Sequence, residues 1–371
     1  MKEIIERERK LPVTDSCDVL VAGGGIAGIA AAMAAARGGK KVMLLEREFA
    51  LGGMATLGLV TIYLPLCDGE GNQVIYGIAE EQVLLAYGGE EILKTAVHYY
   101  LMTGGNNTIM IPQFSWWYYN RVAGECGGTA EMYPLHETGD TFAYDVDEVI
   151  EYTNRICPRM LLLASPNNPT GNSLTSEEIG RIMENIPAQT MVLIDEAYAS
   201  FMCMDTGYIA PLINKYPNLI ISRTLSKFYG LPGLRMGFGF VGKGQEDFMK
   251  YANKYLGYNR FSERVALAAL ESDDHYRLVA DQMEWGRQLY KKELGDKEGF
   301  KVYKSVANFI LIKYPSHIKE ALQKALAEQN YKIKFMGDPG LEDCLRITLG
   351  RPEQTQVVCD TIKRVAQENT K

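Results

Sequence analysis

Short, mostly uncharged runs recur along the chain, separated by stretches in which apolar residues return at helical spacing. Residues 18–22, 41–45, 82–86, 107–112, 159–164, 191–194 and 219–222 are such runs. Continuous rather than alternating hydrophobicity over so few residues predicts strands covered on both faces, as in a parallel sheet. Residues 29–39 and 92–102 read as helices, and another opens near Thr175, where Thr175 and Glu178 have capping-box spacing. Strands alternating with helices predict an α/β fold with a mostly parallel sheet. The rhythm changes after residue 275. Helical periodicity continues to 290, strands follow at 301–303, 309–312 and 344–349, and helices at 318–328 and 354–367. This predicts a smaller α+β domain at the C-terminal end.

Composition changes the picture little. The 371 residues are 47% hydrophobic and 23% charged, with a net charge of −7. That balance is ordinary for a globular protein and argues against nucleic acid or an anionic membrane as the main partner. The first ten residues carry charges of both signs and no apolar core, so they do not read as a signal peptide. The uncharged run at 19–36 is long enough to span a bilayer, but its glycines and alanines fit strand, turn and helix better. Seven scattered cysteines without a C-x-x-C pair suit free thiols in a reducing cytoplasm, and four scattered histidines indicate no metal site.

Two stretches carry chemistry. In the first, Gly23, Gly25 and Gly28 form G-x-G-x-x-G between a strand and a helix, and Glu46 ends the following strand. Gly23 allows a tight turn, Gly25 lets a pyrophosphate approach the backbone, and Gly28 permits close helix–strand packing. Glu46 stands where a carboxylate accepts ribose hydroxyls. The second stretch is SRTLSKFYGLPGLRMGFG from Ser222 to Gly239. Thr224, Ser226 and Arg235 are groups that hold a phosphate. Lys227 between apolar neighbours is a candidate amine for attack on a carbonyl, since desolvation favours its neutral form. Two further features extend this site. Gly88 and Gly89 stand between a strand and a helix, where backbone N–H groups can face an anion. Asp195 ends a buried run, where a carboxylate needs a cation. The aromatic run from Phe114 to Tyr119 also follows a strand, and such clusters are more often core than ligand platform.

The N-terminal fingerprint, with LGG-M-A-T soon after Glu46, resembles FAD-dependent oxidoreductases over about residues 15–81. FAD is the cofactor this would imply, but a βαβ unit of this length cannot enclose it. The rest of the chain, residues 82–371, carries SPNNPTG, DEAY, SRTLSK and GLRMGFG in that order. It resembles class I/II aminotransferases of the histidinol-phosphate type, which have the fold-type I architecture and use pyridoxal 5'-phosphate (PLP). The resemblance implies that Lys227 forms a Schiff base with PLP and that Asp195 pairs with the ring nitrogen. It implies that Tyr198 and Asn168 hydrogen-bond the ring oxygen and that Phe114 stacks on the ring. Thr224, Ser226, Arg235 and the Gly89–Glu90 backbone would hold the phosphate, and Arg346 would fork onto the substrate carboxylate.

The expected organisation is therefore a dinucleotide-binding fragment at 1–81, a PLP-binding large domain at 82–275 and a small domain at 276–371. The expected activity is transfer of an amino group between an amino acid or phosphorylated amine and a 2-oxo acid or aldehyde. The open alternatives are a decarboxylase of the threonine-phosphate type, an FAD-dependent oxidoreductase fragment, and a catalytically impaired fusion. The resemblance also implies a homodimer, and the cysteine usage a cytoplasmic location. However, the segment that such enzymes place ahead of the Gly-Gly loop is replaced here by the flavin-type unit.

Overall fold

The computed structural model describes residues 15–24, 26–46, 82–254 and 257–369. The chain divides into two compact units, Met1–Gly77 and Ile78–Lys371. In the first, β1 (Val19–Ala22) and β2 (Val42–Leu45) pair in parallel, joined by α1 (Ile26–Arg37). This is the expected βαβ unit, with its helix starting earlier than the alanine run suggests. Gly23 has φ +106°, and a Cβ on Gly28 would lie 1.8 Å from the Gly23 carbonyl oxygen. The close approach inferred from the glycine spacing is therefore present. Gly25 and the LGG-M-A-T run lie outside the described residues.

The second unit is built on a seven-stranded sheet. Its strands are β3 (Val83–Ala86), β4 (Thr108–Pro112), β5 (Thr129–Tyr133), β8 (Met160–Ala164), β9 (Met191–Asp195), β10 (Leu219–Thr224) and β11 (Gly237–Val241). Their order is β3-β11-β10-β9-β8-β4-β5, and only β11 runs against its neighbours. A two-stranded hairpin, β6 (His136–Thr138) and β7 (Thr141–Ala143), stands apart from it. All five residues of β8 are buried, which is why its sequence reads as a continuous apolar run. Leu161, Val192 and Ile221 face a core that includes residues of α4 (Val146–Ile156), α5 (Ser176–Asn185) and α6 (Ile209–Lys215). Leu162, Leu193 and Ile220 face the opposite core, with α2 (Gly89–Thr103), α3 (Tyr118–Glu125) and α7 (Glu246–Ala252). Each such side chain taken from water contributes about 1.5–3 kcal/mol. The α5 start carries the expected capping box between Thr175 and Glu178.

The sequence reading missed β11. Two glycines interrupt its apolar run, and they answer a packing constraint instead. A Cβ on Gly237 would lie 2.5 Å from the Gly88 carbonyl carbon, so the strand passes directly beneath the start of α2. Beyond it come α8 (Arg260–Leu270) and the long α9 (Asp273–Leu294). A second, antiparallel sheet then follows in the order β12-β13-β15-β14. Its strands are β12 (Lys301–Val302), β13 (Phe309–Lys313), β14 (Lys334–Phe335) and β15 (Cys344–Thr348). Its core is shared with α9, α10 (Lys319–Glu328) and α11 (Pro352–Glu368).

Among the described residues one ion pair is fully enclosed. Arg223 Nε donates to Glu196 Oε2 at 2.8 Å, and the two side chains are 5% and 3% exposed. Tyr208 Oη donates to the same carboxylate at 2.7 Å and accepts from Arg223 Nη2 at 2.7 Å. Burial pushes the Glu196 carboxyl above its ordinary value, and Arg223 and Tyr208 oppose this. The network joins the segment after β9 to the end of β10. Removing one partner would leave a buried charge uncompensated. Arg223→Ala should therefore cost about 3–5 kcal/mol of stability. Urea unfolding monitored by circular dichroism checks this, and a loss below about 1 kcal/mol would show that Glu196 finds water or another partner.

Candidate active site

Parallel strands end their residues on one edge of a sheet, and loops leaving that edge converge. Ala164, Asp195 and Ser222 are level across β8, β9 and β10. Thr224 at the end of β10 is level with Gly237, which is level in turn with Ala86 at the end of β3. SPNNPTG, DEAY, LSK and the Gly88–Gly89 turn therefore all leave the same edge. The order of the motifs in the chain becomes proximity in space.

The anion cup forms where β3, β10 and β11 meet. Gly88 has φ +98° and caps α2 with no side-chain hydrogen bond, which leaves first-turn N–H groups available. A Cβ on Gly89 would stand 3.3 Å from Thr224 Cβ, and one on Gly88 would stand 2.7 Å from Arg235 Nη2. Thr224 Oγ1 donates to Ser226 Oγ at 2.9 Å and accepts the Ser226 N–H at 3.1 Å. Arg235 donates to the Tyr87 carbonyl at 2.9 Å. Gly89, Thr224, Ser226 and Arg235 are thus brought together. The Glu90 side chain is exposed, and its backbone lies in the first turn of α2.

Asp195 is the second element. Its Oδ1 accepts the Ala197 N–H at 3.0 Å, and its Oδ2 accepts the Tyr119 hydroxyl at 2.7 Å. Burial pushes its carboxyl up, while Tyr119, Ala197 and the charge of Lys227 pull it down. Among the described residues it forms no ion pair. A carboxylate so placed, with a lysine nearby and an anion cup beside it, fits a ligand that carries a ring cation and a phosphate.

Lys227 differs from expectation in one respect. Leu225 and Phe228 turn inward to a cluster with Phe201 and Met236, and Lys227 itself is exposed. Its Nζ lies 5.7 Å from the centre of the Tyr198 ring. Tyr198 packs edge-on against Phe309 at 5.1 Å, and burial pushes its hydroxyl up to about 12, so it is a donor at neutral pH. Arg346 lies in β15, level with Leu311 and Lys334. Its Nη1 donates to Asn168 Oδ1, its guanidinium lies 5.4 Å from the Phe309 ring centre, and its buried Nε has no partner. The arginine inside an apolar strand is thus aimed at the SPNNPTG loop. Phe114 is buried, edge-on to Phe142 at 5.8 Å, and its carbonyl accepts from Asn167 Nδ2 at 2.6 Å.

Sequence reasoning missed Tyr119. The signal was an aromatic cluster just after a strand's C-terminal end, which reads equally well as core. In the N-terminal unit, Glu46 Oε2 accepts the Gly24 N–H at 2.6 Å. The carboxylate expected to meet a ribose thus bonds to the glycine-rich loop itself.

A mostly parallel sheet with a lysine, a buried carboxylate and an anion cup on one edge, and an arginine from a second sheet, defines an aminotransferase-like architecture. Comparison with known proteins agrees. The model of the family "Aminotransferase class I and II" matches residues 71–362. Histidinol-phosphate aminotransferase of Clostridium novyi is 31% identical over 288 residues, 77% of each chain. That of Bacillus subtilis is 29% identical over 282 residues, 76% of each chain. Among solved structures, histidinol-phosphate aminotransferase of Sinorhizobium meliloti in complex with pyridoxal-5'-phosphate superposes with a TM-score of 0.69 at 21% identity, covering 78% of this chain and 77% of that one. L-threonine-O-3-phosphate decarboxylase of Porphyromonas gingivalis gives 0.63 at 23% identity, covering 77% and 84%. The chain belongs to the class I and II aminotransferase family. A second model, "FAD dependent oxidoreductase", matches residues 18–99 and overlaps the first.

The state of Asp195 yields a prediction. Its folded carboxyl holds a proton more tightly than the unfolded one. It therefore favours folding below the unfolded value, and that contribution is lost as pH rises through the folded value. That contribution is therefore smaller at pH 8 than at pH 4 in the cofactor-free protein. Asp195→Asn should raise its denaturation midpoint at pH 8 and change it less at pH 4. An unchanged or lowered midpoint at pH 8 would show that Tyr119 and Ala197 fully compensate the carboxylate.

Proposed function

We propose that this chain is a transaminase that works with PLP at Lys227. The observation that carries this is the convergence of Lys227, Asp195, the Thr224–Ser226–Arg235 cup and the Arg346–Asn168 pair on one edge of the sheet. Lys227 Nζ would hold the cofactor's aldehyde carbon, and Asp195 its ring nitrogen. Tyr198 and Asn168 would donate to the ring oxygen. The Gly89–Glu90 backbone, Thr224, Ser226 and Arg235 would hold the phosphate, and Phe114 would line the ring face. When bound, PLP supplies an aldehyde that condenses with amines and a ring that takes up the electron pair left as a proton departs. The chain supplies the rest. Arg346 orients a substrate anion through its paired N–H groups. Lys227 Nζ takes the proton from the substrate's Cα and returns it elsewhere.

Histidinol phosphate, after which the relatives are named, is the first amine to test, with a 2-oxo acid as acceptor. We assign residues 1–81 to a dinucleotide-type segment, 82–275 to the cofactor-binding domain and 276–371 to a small domain, the last boundary falling in the first turn of α9. A homodimer in a reducing cytoplasm is the setting we propose. In support, α8 exposes Phe261, Leu267 and Leu270, and the six described cysteines are free. No helix among the described residues is long and apolar enough to cross a membrane.

Borohydride reduction of the PLP-loaded protein should fix the cofactor to the chain at Lys227, and Lys227→Ala should abolish the fixation. Fixation elsewhere would overturn the site. Release of carbon dioxide without amino transfer would favour decarboxylation. Separately, Arg346→Ala should raise KM for carboxylate or phosphate substrates by at least about tenfold, the scale of one lost charge-assisted pair, with PLP still bound. Loss of PLP in that variant would assign Arg346 to the cofactor instead. Sedimentation velocity should show a dimer that Phe261→Glu weakens, and a monomeric wild type would remove the assembly from the proposal.

A further inference from the structure

Every carboxylate that must stay ionised in a buried place needs donors. Asp195 has two, and they differ in kind. The Ala197 N–H is backbone, two residues on, and comes with the turn after β9. The Tyr119 hydroxyl comes from the first turn of α3, far away in sequence, and reaches Asp195 Oδ2 at 2.7 Å. Its ring is 3% exposed, edge-on to Trp116 at 5.8 Å, so the hydroxyl has little freedom to turn elsewhere. A phenylalanine would fill the same space. The hydroxyl is the part that packing does not require.

We propose that Tyr119 is a positioning residue for the amino-transfer site, fixing Asp195 in rotamer and charge so that one oxygen is held from behind while the carboxylate faces a ring cation. The proposal rests on the PLP reading above. Burial and the Asp195 charge push the Tyr119 hydroxyl well above its ordinary value, so it donates throughout the neutral range and never competes as an anion. Without that donor the carboxylate becomes more basic. It then takes a larger share of the proton lying between it and the ring nitrogen. A ring with less positive charge holds its other titrating proton more tightly. The Tyr119 hydroxyl hydrogen-bonds to Asp195, so its effect must be visible in the cofactor's affinity and titration rather than in substrate contacts.

The test compares Tyr119→Phe with wild type and with Tyr118→Phe, a neighbouring buried tyrosine with no bond to Asp195. PLP affinity is measured by fluorescence quenching, and the visible absorption of the loaded protein is titrated with pH. Tyr119→Phe should weaken PLP binding roughly three- to tenfold, the scale of one lost hydrogen bond. It should also move the absorption midpoint to higher pH, while Tyr118→Phe leaves both unchanged. Equal affinity and an equal midpoint in Tyr119→Phe would overturn the inference, even if that variant is less stable. Should Tyr119→Phe fail to fold, Tyr119→Trp keeps a ring N–H donor on a bulky side chain. A midpoint nearer wild type than that of Tyr119→Leu would support the proposal, and identical midpoints for those two would sink it. A wild-type protein that binds no PLP would defeat the cofactor reading itself, a result distinct from all of these.

Discussion

An ionised carboxylate at the inner end of a buried strand is unfavourable unless other groups are arranged around it. Asp195 imposes that condition on the whole edge of the seven-stranded sheet. The Ala197 backbone turns back to it, and α3 begins where Tyr119 can reach it. Ser165, opening the neighbouring loop, donates its N–H to the Asp195 carbonyl at 3.0 Å. On the other side, Glu196 anchors to Arg223 and so ties the same turn to the strand that ends at Thr224 and leads to Lys227. The carboxylate of Asp195, its backbone carbonyl and the neighbouring Glu196 thus tie the tyrosine, the SPNNPTG loop and the strand leading to the lysine to one turn.

The cup between the start of α2, Thr224, Ser226 and Arg235 depends on a different constraint, the close passage of backbones. Side chains at Gly88 and Gly237 would collide with Arg235 and with neighbouring main chain, and one at Gly89 would press on Thr224. Removing those side chains lets the start of α2 approach β10 and β11. The positive end of the helix dipole, two hydroxyls and a guanidinium are thereby brought close to one another.

Much of this was legible in the chain. Parallel strands announce themselves as apolar runs, so β8, β9 and β10 were found within a residue or two. Thr224, Ser226 and Asn168 stand out in the sequence because their chemistry and their turns are encoded side by side, and in the structure Thr224 bonds to Ser226 and Asn168 to Arg346. Three things were not legible. Gly237–Val241 hid because its glycines answer a tertiary contact rather than a strand preference. Tyr119 hid because a buried tyrosine looks the same in sequence whether or not its hydroxyl has a partner. Lys227 was expected to be desolvated because its neighbours are apolar, but those neighbours turn inward and leave it outside. Sequence adjacency says nothing about which way each side chain faces.

The loop at 165–172 is gripped from both sheets. Asn168 accepts from Arg346 of β15, and the Gly171 carbonyl accepts the Val306 N–H at 2.9 Å. Gly171 has φ +77°, and a Cβ there would strike Ser305. The antiparallel sheet is therefore a second ligand of the loop, bound within the same chain. A small molecule that displaces the Asn168–Arg346 bond loosens the sheet's hold on that loop. By thermodynamic reciprocity, the sheet's placement changes the molecule's affinity by the same factor.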